Sequence, residues 1–183
     1  MDDDALASLI EILWPDGGAH GQQVSWLLDG ARSPDIAGLV GASGLAHTCL
    51  FGGELHPRLA AAAPYLVQLP AGSPAAIKLL RQGWGQAWGI FTFAGADLTQ
   101  ARQRLHLKKF LRVQTEQGRK LAFRYYDPRV LNIFLPTCTD EEFSDFLGPI
   151  DRLIAESDDG AKAQEFGLRH GAMQRREHLL AGR

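Results

Sequence analysis

Arg124-Tyr-Tyr-Asp-Pro-Arg-Val-Leu131 packs two guanidinium groups, a carboxylate and two phenols into eight residues. Guanidinium and carboxylate groups so close can fix each other and present directed hydrogen-bond donors to a partner. Bond-breaking chemistry would need a nucleophile or a general base beside them, and the stretch holds neither. It reads as a recognition site. A second constellation, His47, Cys49, Glu54 and His56, puts four possible metal ligands within ten residues. Its His-x-Cys spacing is tighter than a zinc pair and no second pair follows, so a loop with a half-buried cysteine is the expectation. Gly83-Trp-Gly-Gln-Ala-Trp-Gly89 has the glycines of a phosphate-binding loop in the wrong order. A helix precedes it and a strand follows, where an anion site needs the reverse, so a turn with packed indoles is expected.

Arg102, Arg104, Lys108, Lys109 and Arg112 form a run of cations with no acid between them. A solvated helix face is expected, and a nucleic-acid surface is the competing reading. Ser25, Ser43, Ser144, Cys49 and Cys138 all lack the context of an activated nucleophile. The alternative to a recognition protein is a small hydrolase or transferase with a site around Arg124, Asp127 and His47. No cofactor or metal is expected.

The elements that must position these groups follow from periodicity and caps. Leu121, Phe123 and Tyr125 alternate with Lys120, Ala122 and Arg124, the period of a half-buried strand. Asp127-Pro128 then caps a short helix whose stripe is Val130, Leu131 and Phe134. Asp2 to Asp4 open an amphipathic helix carrying Leu6, Leu9, Ile10 and Leu13. Strands are expected at 24–28, 49–51, 65–69, 88–94, 112–115, 119–126 and 150–154. Helices are expected at 34–41, 57–63, 74–82 and, capped by Asp97, to Leu111; a capping box at Thr139-Asp-Glu-Glu142 starts another. Glu116-Gln117-Gly118 is the turn of a hairpin.

The fold class expected is α+β or mixed α/β: a mixed sheet flanked by helices over 1–156, then a linker and a short helical tail over 157–183. Phe166, Met173 and Leu180 lie at heptad spacing in that tail and make it a second candidate contact surface. The 183 residues are 45% hydrophobic and 22% charged, enough to bury a core without disulfides or metal. A net charge of -2 argues against a dedicated nucleic-acid binder. Two distant cysteines, an acidic start and no apolar run of spanning length lead to an expectation of a cytoplasmic protein off the membrane.

Five segments in order carry a resemblance: Trp26-Leu-Leu-Asp-Gly-Ala-Arg32, Ala63-Pro-Tyr-Leu-Val67, Gly83 to Gly89, Arg124 to Leu131, and Phe146-Leu-Gly-Pro149. Together they resemble the type VI secretion effector-chaperone (adaptor) family, long catalogued as a domain of unknown function. The resemblance implies a non-enzymatic cytoplasmic protein. Its partners would be a secreted effector and the valine-glycine-repeat spike protein onto which the effector is loaded. Interfaces of that kind draw on aromatic and arginine side chains. The residues nominated are Asp29, Arg32, Trp84, Trp88, Arg124, Tyr126, Asp127 and Arg129. Oligomeric state is left open.

Overall fold

The structure is a computed structural model and describes residues 1–19, 21–115 and 117–182. In chain order its elements are α1 (Asp3–Leu13), β1 (Gln23–Asp29), α2 (Ile36–Ala42), β2 (His47–Cys49), α3 (Pro57–Ala61) and β3 (Pro64–Gln68). Next come α4 (Pro74–Gly83), β4 (Gly89–Ala94), α5 (Gln100–Lys108), β5 (Arg112–Gln114) and β6 (Lys120–Ala122). The chain closes with α6 (Pro128–Phe134), α7 (Asp140–Leu147), β7 (Arg152–Glu156), β8 (Lys162–Arg169) and β9 (Ala172–Leu179). No helix among the described residues is long and apolar enough to cross a membrane.

Seven strands form one sheet in the order β2-β3-β1-β4-β7-β8-β9, with β5 and β6 as a separate ribbon. Period-two alternation splits the core. Val24, Trp26 and Leu28 of β1, with Phe91 and Phe93 of β4, join Leu6, Leu9 and Leu13 of α1 and Leu79 and Leu80 of α4 on one face. Leu27, Ile90 and Leu153 point the other way, to Leu107 of α5, Leu131 of α6 and Phe143 and Phe146 of α7. The result is an α+β domain with helices on both faces. Its sheet is antiparallel at every pairing rather than mixed in direction.

The local signals place most elements. Asp127 caps α6 and Thr139 closes the capping box of α7, both as expected. Asp97 does not cap α5; Thr99 does, through its hydroxyl to the Arg102 N–H at 3.3 Å. The strand expected over 119–126 stops at Ala122, and Leu121 is exposed. The ribbon pairs only with itself, so its alternation never meets the core. Beyond it Tyr125 and Tyr126 turn inward as neighbours. In the hairpin turn, Glu116 lies outside the described residues.

The largest correction concerns the tail. Residues 161–180 form no helix: β8 and β9 are strands of eight residues each, hydrogen-bonded onto the end of the sheet. His170 and Gly171, with φ of +53° and +80°, make the two-residue turn that a right-twisted hairpin favours. Of the heptad trio, Phe166 is core and Leu180 closes against the α1 face, so they cannot share an exposed contact surface. The expected linker at 157–160 is the turn that joins β7 to β8.

Candidate functional site

β1 runs through the middle of the sheet and delivers Asp29, fully buried, to its C-terminal end. A buried carboxylate needs donors, and this one has them. One oxygen accepts from the Ala31 N–H at 3.0 Å, and the other accepts from Arg124 Nε at 3.0 Å and from its Nη2. Arg124 arrives there because its neighbour Tyr125 is driven into the core. That phenol donates to the Leu107 carbonyl at 2.7 Å, and its ring meets Phe110 and Phe146 edge-on. The Arg124 side chain keeps 43% exposure, so one flank of the guanidinium faces solvent. Partial burial works against its charge, but the hydrogen bonds and charge of Asp29 outweigh that and raise its pKa. Burial, reinforced by the Asp29 charge, pushes the neighbouring Tyr126 phenol up to about 12.

Asp127 repeats the design one turn later. Its Oδ1 caps α6 by accepting from the Arg129 N–H at 3.1 Å and also takes Nε of the same residue at 3.0 Å. Its Oδ2 accepts from Arg129 Nη2 at 2.6 Å. Burial would raise this carboxyl, yet the bonds and charge of Arg129 hold it below the ordinary aspartate value. The Arg129 side chain is half exposed.

The glycine-rich turn from Gly83 to Gly89 does bind an anion, an internal one. Backbone N–H groups of Gly85 and Ala87 both donate to the buried carboxylate of Glu156, at the end of β7. Ala87 sits at φ +52°, a conformation that costs a non-glycine residue on the order of 1 kcal/mol. Arg32 holds the same turn from outside, donating to the Ala87 and Gln86 carbonyls at 3.1 and 3.3 Å. A Cβ on Gly89 would collide with the Leu27 carbonyl, so this position demands glycine. Asn132 of α6 donates to the Glu156 carbonyl at 2.9 Å, tying turn, strand and helix together.

Asp29, Arg32, Arg124, Tyr126, Asp127 and Arg129 therefore converge on one end of the sheet, near a small cleft of about 230 Å³ between Arg32, Ala87, Arg129 and Asp158. Of these six, Arg32, Arg124 and Arg129 reach solvent, whereas Asp29, Tyr126 and Asp127 are buried and cannot meet a partner directly. Trp84 and Trp88 do not join the accessible set either. They are 2% and 8% exposed and pack with Trp26 and Phe91, while Trp84 Nε1 donates to the Gly160 carbonyl at 2.8 Å. An indole in a glycine-rich turn has more apolar area to gain from the adjoining core than from solvent. Glu156 is the member that sequence reasoning missed. An acid ending the apolar run Leu153-Ile154-Ala155 is the signal that could have found it.

His47 stands apart. It pairs opposite Val67, itself opposite Trp26, and so lies two strands and three residues from Asp29, roughly 10 Å across and 10 Å along the sheet. His47 therefore does not join the Asp29–Arg124 pair. His56 caps α3, and among the described residues no three His, Cys, Asp or Glu side chains are placed to hold a metal. The basic run also divides. Arg104 is spent on the Cys49 and Phe51 carbonyls at 2.6 and 3.0 Å, whereas Lys108, Lys109 and Arg112 are exposed.

No curated protein matches this sequence, and no solved structure matches the fold. A family model described as "Domain of unknown function (DUF4123)" matches residues 24–145, a span holding Asp29, Arg32, Arg124, Asp127 and Arg129. The chain belongs to that family of unknown function.

Proposed function

We propose that this protein is a type VI secretion adaptor, a non-enzymatic cytoplasmic chaperone that binds a cognate effector and promotes its loading onto the spike protein. The observation that carries the reading is the pairing of buried acids with half-exposed arginines. Asp29 and Asp127 are 0% and 3% exposed, while Arg124 and Arg129 keep solvent-facing flanks. A guanidinium locked on one side by a carboxylate loses little side-chain entropy when a partner docks on the other. The ordered segments that resemble the adaptor family supply both pairs, which supports the same reading.

Its test is co-expression of the tagged protein with the cognate effector and spike. Stable capture of either through a high-salt wash is the expected result. Arg129→Ala should weaken capture while the domain keeps its fold, because Asp127 still accepts from the backbone N–H of residue 129. Arg124→Ala should weaken capture and also lower the melt, because it leaves buried Asp29 short of donors. A protein that elutes alone from every cognate pair overturns the proposal.

A further inference from the structure

A second surface lies on the other side of Tyr126. The loop before α3, the end of α5 and the β5–β6 ribbon enclose an open cleft of about 1050 Å³. Leu55, Leu59, Leu111 and Leu121 give it an aliphatic floor, and Leu59 and Leu121 are 48% and 43% exposed. Lys108, Lys109, Arg112 and Lys120 ring that floor, all exposed, and no carboxylate of a described residue lines the cleft. The orientation is built in. Gln103, His106 and Leu107 face the sheet side of α5, anchored by Gln103 to Thr92 at 2.8 Å and His106 to the Phe146 carbonyl at 2.8 Å. The lysines at the end of that helix are thereby turned outward.

The adjoining ribbon is exposed at all six paired residues, and a two-stranded ribbon of that length is marginal in water on its own. An aliphatic strip rimmed by one sign of charge matches a peptide with aliphatic residues on one side and acids on the other. Nucleic-acid grooves instead stack bases on exposed aromatic faces, and this floor is chiefly aliphatic.

We infer that the cleft is the docking groove for an acidic amphipathic segment of the effector, with the segment's carboxylates against the lysine rim and its aliphatic side chains on the leucine floor. This inference rests on the adaptor reading. Two paired variants test it: Lys108→Glu with Lys120→Glu, and Leu59→Asp with Leu121→Asp. All four positions are exposed, so circular-dichroism melts should match the unmodified protein.

Titration of the purified cognate effector should show affinity falling about ten-fold or more for each pair. A photo-crosslinker at position 121 should map to an acid-rich stretch of the effector. Effector binding at unchanged affinity by both folded variants overturns the groove and leaves the adaptor reading standing. An effector that fails to bind the unmodified protein overturns the groove; if the spike is not captured either, the adaptor reading falls with it. Salt-steep binding of a labelled single-stranded DNA oligonucleotide, lost in the lysine variant, would assign the cleft to nucleic acid and overturn the proposal.

Discussion

Arg124 and Arg129 at one end of the sheet, and Lys108 and Lys120 around the neighbouring cleft, are cations with exposed ends; only the arginines are held by buried carboxylates. At the arginine corner Arg124 is fixed to Asp29 and Arg129 to Asp127, so these groups stabilise the fold while presenting a surface. Around the cleft the charges rest on the ends of long flexible stems beside uncovered leucines. The contrast separates two jobs that look identical in composition. Substitution at the corner should cost stability, and substitution at the cleft should cost binding alone.

The sharpest way to break that contrast is Glu156→Ala. It removes two charge-assisted hydrogen bonds from the part-buried N–H groups of Gly85 and Ala87, at about 1.5 kcal/mol for each bond. A loss of about 3 kcal/mol would lower Tm by roughly 6–12 °C in a domain of this size, measured by calorimetry. Asp29→Ala comes next. It strips Arg124 of its partner and Ala31 of its acceptor, but Arg124 can still reach water, so a loss of about 2 kcal/mol is expected in a urea titration.

Asp127→Ala removes a helix cap, for about 1 kcal/mol. The same residue predicts a pH dependence. Its carboxyl titrates lower in the fold than in the unfolded chain, so its contribution is complete above the ordinary value of 3.8. That contribution fades as pH falls through the lower folded value, and Asp127→Asn should flatten this part of the acid stability curve.

Alkaline pH sharpens the account from the other side. Tyr126 titrates at about 12 in the fold against 10.0 ordinarily, so its neutral form stabilises fully below pH 10, and that benefit disappears as pH rises toward 12. Tyr65 and Tyr125 are raised too, so near-ultraviolet titration should find little tyrosinate at pH 10 until the protein unfolds. Smallest of all is the stability effect of Lys108→Glu with Lys120→Glu, expected within about 0.5 kcal/mol because both side chains are solvated. A large loss there would erase the distinction between the two regions.

Caps and strand cores were legible from the residues because they depend on neighbours in sequence. Asp127-Pro128 and Thr139 to Glu142 fold as local hydrogen bonding dictates. Val24 to Leu28 gives itself away as a run buried on both faces of the sheet. The C-terminal hairpin was not legible in this way. Ala172 to Leu179 is rich in Met, Gln, Arg and Glu, all good helix formers, and pairing with β8 overrides that propensity. Within the site, the motif that pairs Asp127 with Arg129 spans three residues and could be read directly. Asp29 meets Arg124 across 95 residues, and the Glu156 carboxylate reaches the 83–89 turn across about 70, so no local pattern announces either. Trp84 and Trp88 show the same limit: a buried indole and an exposed one are written with the same letter.

One measurement bears most directly on the adaptor reading: affinity capture of the cognate effector and spike by the co-expressed protein, run beside the arginine and lysine variants with their melts. The account predicts a salt-resistant complex, weakened by Arg124→Ala and by the lysine pair, with the melt unchanged for the lysines. No complex with any cognate effector or spike would contradict it.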